Sequence, residues 1–133
     1  MANVERSDKI RVVTPADLVW DEAMTYSEEK EPPGRECITA QSSDERFCCG
    51  VWQRDVQDRY FERPYHEIAY IIEGEVEISD DDGNLVKAGP GDILITPKGS
   101  KGHWKNLTPV KKFFTIYEDP GASLEAYLGP GGF

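Results

Sequence analysis

Long apolar runs are missing from this chain. No stretch approaches the ~18 residues that a membrane-spanning helix needs. The first residues, MANVERSDKIRVV, are polar and charged where a secretion signal would be apolar. A cytoplasmic protein is therefore expected. Positive charge is also scarce: 15 Lys and Arg stand against 25 Asp and Glu, a net charge of −10. A field of that sign repels phosphate backbones and anionic bilayers, so neither nucleic acid nor a membrane is an expected partner. Cysteines number three, an odd count, with no C-x-x-C pair. Cys48 and Cys49 are adjacent and on a strand would face opposite ways, so buried thiols in a reducing compartment are expected. Internal repeats and long amphipathic helical patterns are absent too.

The 133 residues support one domain. Hydrophobic residues at 38% and charged residues at 30% describe a globular chain with a real core. The densest run of positive charge, Lys98, Lys101, Lys105, Lys111 and Lys112, reads as solvated lysines balancing an acidic surface. Short runs of β character dominate, punctuated by Gly, Pro and Asp. A first candidate strand is Lys9 to Val13. Pro15 to Met24 reads as a helical turn, and SEEKEPPG, Ser27 to Gly34, as a loop. From Cys37 the runs become regular: Cys37–Gln41, Arg46–Arg54, Asp58–Phe61, Glu67–Ile72, Glu75–Ser79, Asn84–Val86, Asp92–Thr96, His103–Asn106 and Lys112–Tyr117. Strands this short at this spacing predict an all-β sandwich or barrel. Residues 1–45 form an N-terminal extension of the same domain, 46–119 the barrel, and 120–133 a tail.

Two turns carry information. Asp80-Asp81-Asp82-Gly83-Asn84 reads as a hairpin, because glycine supplies positive φ without steric cost. A calcium loop is the weaker reading, since Leu85 to Gly91 holds no carboxylate beyond it. Glu73-Gly74 is a second turn. Before it, Ile68-Ala69-Tyr70-Ile71-Ile72 is apolar on both faces; after it, Glu75-Val76-Glu77-Ile78 alternates. A strand covered on both sides, passing into one with a wet face, fits a two-sheet roll.

Two segments stand out. One runs from His66 to Glu75, with Glu67 and Gly74 separated by six residues. The other runs from Gly91 to Asn106: glycine, five residues, Pro97-x-Gly99, two residues, Gly102, three residues, Asn106. Together they resemble the two motif blocks of the cupin superfamily. The resemblance spans about Arg46 to Glu118 and implies a cupin-type double-stranded β-helix, a jelly-roll barrel. Gly50-Val51-Trp52, Gly99-Ser-Lys-Gly102-x-Trp104 and Pro109-Val110-x-Lys112 are similar to one branch, the small cupins allied to ureidoglycine aminohydrolase and to ethanolamine-utilisation cupins. Turn glycines and prolines mark the fold and say little about chemistry.

Cupin chemistry usually rests on a metal held by two His and a Glu of the first block and a His of the second. A set of imidazole and carboxylate suits Mn, Fe, Ni or Zn. Here the two first-block His positions fall on Phe61 and Arg63, or on Tyr60 and Glu62, and the second-block position on Gly102. Glu67 alone survives. His66 and His103 each sit one residue from a ligand position, so a divalent metal would need Glu67, with Glu62 as a further candidate ligand, and His66 and His103 re-aimed by a bulge. Without metal, His66 and His103 are ordinary partly exposed histidines, and Glu67 is a buried carboxylate paired with Arg63.

The barrel mouth is expected to be lined by Trp52, Tyr60, Glu62, Arg63, Glu67, Tyr70, Gly102 and Trp104. Aromatic walls with a carboxylate and a guanidinium suit a small polar or anionic metabolite. Glu67 in an apolar wall is expected to have a raised pKa and to serve as acid or base, with Tyr70 or His66 assisting. Three functions follow: an isomerase, lyase or amidohydrolase-type enzyme; a non-catalytic small-molecule-binding or accessory module; or an interaction protein whose barrel is filled. Small cupins commonly pair as dimers, often by exchanging N-terminal strands, so the resemblance implies a homodimer in which Lys9–Val13, an unpaired edge strand, is the segment exchanged.

Overall fold

The computed structural model describes residues 10–26 and 34–118, the first of these with the side chains of 21–26 left aside. Ten strands follow one 3-10 turn, Pro15–Asp17. They are β1 (Asp21–Tyr26), β2 (Gly34–Gln41), β3 (Phe47–Arg54), β4 (Gln57–Glu62), β5 (His66–Glu73), β6 (Val76–Asp80), β7 (Leu85–Ala88), β8 (Ile93–Thr96), β9 (Lys101–Asn106) and β10 (Val110–Tyr117). Six form one sheet in the order β1-β2-β3-β10-β5-β8, and four the other, β4-β9-β6-β7. Every pairing is antiparallel. The chain crosses between the sheets as it runs, which makes the roll of the expected all-β cupin barrel.

Alternation explains the core. On β5 burial alternates strictly from His66 to Ile71, and on β9 Gly102, Trp104 and Asn106 are buried while Lys101 and His103 are exposed. β10 buries Val110, Lys112, Phe114 and Ile116. Side chains of one parity thus fill the space between the sheets, where burying each Phe or Ile contributes roughly 1.5–3 kcal/mol. Cys37 and Cys48 are buried and Cys49 half-buried, all three as free thiols. Burial pushes the Cys48 thiol up to about 12.

The nine runs from Cys37 onward are all strands. The hairpin at Asp80 is as expected: its carboxylate accepts the amides of Asp82 and Asn84, at 2.9 Å each, and Gly83 has φ +87°. Two elements differ. Ile10–Val13 is not a strand; Lys9 and the loop 27–33 lie outside the described residues, as does the tail 120–133. The edge strand is instead Asp21–Tyr26, whose first residues the composition had suggested to be helical. The extension therefore supplies β1 and β2 to the larger sheet.

Gly74 and Gly83 separate two roles of glycine. Both have positive φ, but a Cβ on Gly74 would collide with the Pro109 carbonyl, whereas one on Gly83 meets nothing within 4 Å. Gly83→Ala is expected to cost only the dihedral strain, about 1–3 kcal/mol. Gly74→Ala is expected to cost clearly more, read as a larger fall in urea midpoint. Equal losses would mean that the β5–β6 turn is free to move.

Candidate functional site

The inner wall of the barrel holds a buried charge cluster. Glu67, on β5, is 1% exposed, and Arg63, in the β4–β5 connection, 5%. Arg63 Nη2 donates to Glu67 Oε2 at 3.0 Å, and its Nε donates to Thr96 Oγ1 at 3.1 Å. From the opposite side Lys112 Nζ lies 3.3 Å from both carboxylate oxygens. Lys112 is itself buried. Its ammonium lies 4.7 Å from the Trp52 ring centre and 4.5 Å from that of Trp104, so two indole faces share its charge. The two tryptophans meet edge to face, and Phe61 meets Trp104 the same way.

Magnitudes decide the protonation states. Burying the Glu67 carboxylate costs several kcal/mol and pushes its pKa up. Each cation at 3–4 Å returns about 4 kcal/mol at the effective dielectric of a protein, and there are two of them. Burial is the largest single influence, yet Arg63 and Lys112 together outweigh it and hold the Glu67 carboxyl below the usual range. The expectation of a raised pKa is corrected: Glu67 is an anion. Lys112 carries the opposite balance. Burial pulls its pKa down, the Glu67 carboxylate pulls it up, Arg63 lowers it again, and it settles at about 8.

The structure brings together Trp52, Arg63, Glu67 and Trp104 of the residues expected to line the mouth, with the Gly102 backbone on the same inner face. The other three, Tyr60, Glu62 and Tyr70, face outward, and so do His66 and His103. Tyr60 is half exposed and donates its hydroxyl to Asp81 at 3.2 Å. Glu62 is exposed. Tyr70 stands on the outer face of β5. His66 stacks on Tyr117 and accepts the Lys98 amide at Nδ1, 3.2 Å away. His103 is exposed and lies 3.2 Å from the Asp58 carboxylate. No bulge re-aims either histidine: β9 runs in unbroken register against both neighbours, and β5 is regular from His66 to Tyr70.

The donor set therefore does not fit a divalent metal. Phe61 and Gly102 offer no donor, Arg63 is a cation, and both Glu67 oxygens are already engaged by Lys112. Among the described residues no group of three or more His, Cys, Asp or Glu is gathered as a metal would need.

Two members of the wall escaped the reading of the sequence. Lys112 reads by composition as a solvated lysine, yet it falls in phase with Val110, Phe114 and Ile116 and is buried with them. Glu36, opposite Trp52 in the β2–β3 ladder, is buried on the same inner face. No signal marked it, since β2 begins three residues before the first residue expected in a strand. Arg54 is buried one turn of the ladder away, with its guanidinium 5.4 Å from the Trp52 ring centre. A cavity of about 350 Å³ opens at that end, lined by Gly34, Arg35, Arg54, Asp55, Glu73 and Lys111 among others.

A jelly roll with Glu67 facing its interior, between the Gly74 turn and the Pro97-x-Gly99 turn, defines a cupin. More narrowly, residues 41–114 match the EutQ-like cupin domain, and the chain belongs to that family. It is 29% identical over 98 residues to the acetate kinase EutQ of Clostridioides difficile strain 630, an alignment covering 74% of this chain and 53% of that protein. The chain thus spans about half the length of that curated relative. The solved C. difficile EutQ structure superposes with a TM-score of 0.66 at 21% identity, covering 80% of this chain and 85% of the other. A putative ethanolamine utilisation protein Q of Salmonella typhimurium LT2 gives 0.66 at 20% identity, covering 81% and 85%. At these identities the two structures speak for the fold.

Proposed function

We propose that the barrel is a chamber for a small anionic metabolite, a carboxylate or phosphate, recognised by fixed cations and an indole N–H in place of a metal. One observation carries this reading. Trp52 Nε1–H is buried and has no acceptor among the described residues. An unanswered buried donor costs about 1–3 kcal/mol, which an acceptor on a guest would recover. Cations lie close by: among the described residues the buried charges are three cations, Arg54, Arg63 and Lys112, and three carboxylates, Glu36, Glu67 and Glu118. The open cavity of about 350 Å³ beside Arg54 falls within the ~300–1,000 Å³ usual for small-molecule sites, and Arg54 is the one buried cation that lines it. Acetate, the small carboxylate named in the acetate kinase EutQ of C. difficile, is of the class proposed. The three free thiols suit the reducing cytoplasm in which we place the protein.

A second reading, favoured by the lowered pKa of Lys112, adds proton transfer to binding. Glu67, clamped as an anion by two cations, is a poor acid. Lys112 changes charge near neutral pH and would be the group that exchanges a proton with the guest.

Thermal unfolding with acetate, inorganic phosphate and uncharged acetamide tests the chamber. Either anion is expected to raise Tm in a saturable way beyond the effect of chloride at equal ionic strength, and acetamide is not. Quenching of tryptophan fluorescence should track the same curve, and Lys112→Met should abolish both. No anion-specific shift in the wild-type protein would sink the proposal.

A further inference from the structure

The cavity beside Arg54 lies over the strand ends. Gly34 opens β2, Arg54 closes β3, Glu73 closes β5 and Val110 opens β10, and all four line it. Glu67 sits near the other end of β5, so this end of the barrel is remote from the buried carboxylate. Two sets of cations meet here from opposite faces of the sheet. Arg54, 2% exposed, shares the inner row with its register partners Gly34 and Val110. The outer row, one residue along, reads Arg35, Gln53, Lys111, with Glu73 paired to Lys111 at its end. Alternation sends the two rows to opposite faces, and both reach the cavity because it wraps the strand ends. Adjacent strands lie about 4.8 Å apart, so the backbones carrying Arg35 and Lys111 stand roughly 10 Å apart with Gln53 between them. Arg35 is held in place: its Nε donates to Gln53 Oε1 at 2.6 Å, and its guanidinium lies 3.8 Å from the Trp20 ring centre. Of the two carboxylates in the lining, Asp55 accepts the Val56 amide at 2.7 Å, and Glu73 stands beside Lys111. Three cations thus line this cavity against two carboxylates, in a chain of net charge −10.

We infer that the guest of the chamber carries two anionic groups on a short chain, as an α,ω-dicarboxylate does. One group is set against Arg54 on the inner side, the other against Arg35 and Lys111 at the rim. The inference rests on the chamber reading and narrows it. A single carboxylate cannot touch cations on both faces of a sheet, whereas a short chain with an acid at each end passes over the strand ends and meets both. Pro109 and Val110, in the same lining, offer the methylenes an apolar wall. A guanidinium fork matches a carboxylate through two parallel hydrogen bonds, and a plane already fixed by Trp20 and Gln53 loses little freedom on binding. Gln53, its oxygen turned to Arg35, adds N–H donors to the rim.

Isothermal titration calorimetry at constant ionic strength tests it, with malonate, succinate, glutarate and adipate set against propionate, butyrate, pentanoate and hexanoate. At least one dicarboxylate is expected to bind roughly tenfold or more tightly than the monocarboxylate of equal carbon number, the worth of one charge-assisted hydrogen bond. Arg35→Met and Lys111→Met, both at the rim, should each bring that ratio toward one. Lys87→Met removes the same charge from the other sheet, where Lys87 is 69% exposed, and should keep the ratio. A ratio near one in the wild type, a ratio that survives both rim substitutions, or one that Lys87→Met lowers equally would overturn the inference and leave the chamber standing. Absence of binding by both classes overturns it too, and takes the chamber with it where inorganic phosphate also fails to bind.

Discussion

Glu67→Gln is expected to lower the free energy of unfolding by about 3–5 kcal/mol at pH 7, measured by urea denaturation. The substitution keeps shape and volume, so no cavity term enters. What it removes is the anion between two buried cations. Arg63 and Lys112, each bonded to Glu67, are left facing one another without it. Lys112→Met should cost less, because Glu67 keeps Arg63 and the methionine stem fills the space between the two indoles. Glu67→Gln combined with Lys112→Met should be more stable than Glu67→Gln alone, since one stranded cation is gone, with a coupling energy of roughly 1–3 kcal/mol. The acid limb carries the same information. Glu67 has a folded pKa below its unfolded one, so its stabilisation is complete above the ordinary carboxylate range and is lost as pH falls through the folded value. Glu67→Gln should flatten that limb. A loss under 1 kcal/mol would mean that water reaches the cluster and solvates it.

Much of this fold was legible because short strands announce themselves by period-two alternation and by the glycines that end them. Gly74, Gly83, Gly91 and Gly99 all take positive φ at the turns where spacing put them. The site was legible only in part, and parity is the reason. Once Glu67 faces inward, Ala69 and Ile71 must follow it, and His66 and Tyr70 must not; Tyr60 and Glu62 are excluded by Phe61 in the same way. Reading motif positions one by one, without carrying parity along each strand, set residues of both faces in one pocket. Lys112 was missed for a different reason. A lysine is rarely buried, and composition gives it to solvent unless its strand phase is allowed to overrule the prior. Glu36 depended on pairing between β2 and β3, a relation between distant positions that no local pattern contains. Ile68–Ile72 reads in the sequence as a strand covered on both faces, whereas Ile68 and Tyr70 are exposed on its outer face.

Lys112 should make the stability of this protein rise with pH where that of its Lys112→Met variant does not. Its folded pKa, about 8, lies below the 10.5 of an unperturbed lysine. Below pH 8 both states hold the proton and the cost of burying the ammonium is paid in full. Between about 8 and 10.5 the unfolded chain binds more proton than the folded one, so unfolding becomes harder as pH increases. Each pH unit inside that window contributes at most about 1.4 kcal/mol, and crossing from 8 to 9 roughly 1 kcal/mol. Other buried groups act the opposite way: burial raises the Cys48 thiol and the Tyr65 phenol above their ordinary values, and both withdraw stability once the unfolded chain begins to lose those protons. The total curve therefore mixes signs above pH 9, whereas the difference between wild type and Lys112→Met cancels Cys48 and Tyr65. That difference, followed by urea titration from pH 7 to 10, should move in favour of wild type by 1 kcal/mol or more. A flat difference would place the Lys112 pKa at its ordinary value, with the ammonium in water instead of between Trp52 and Trp104.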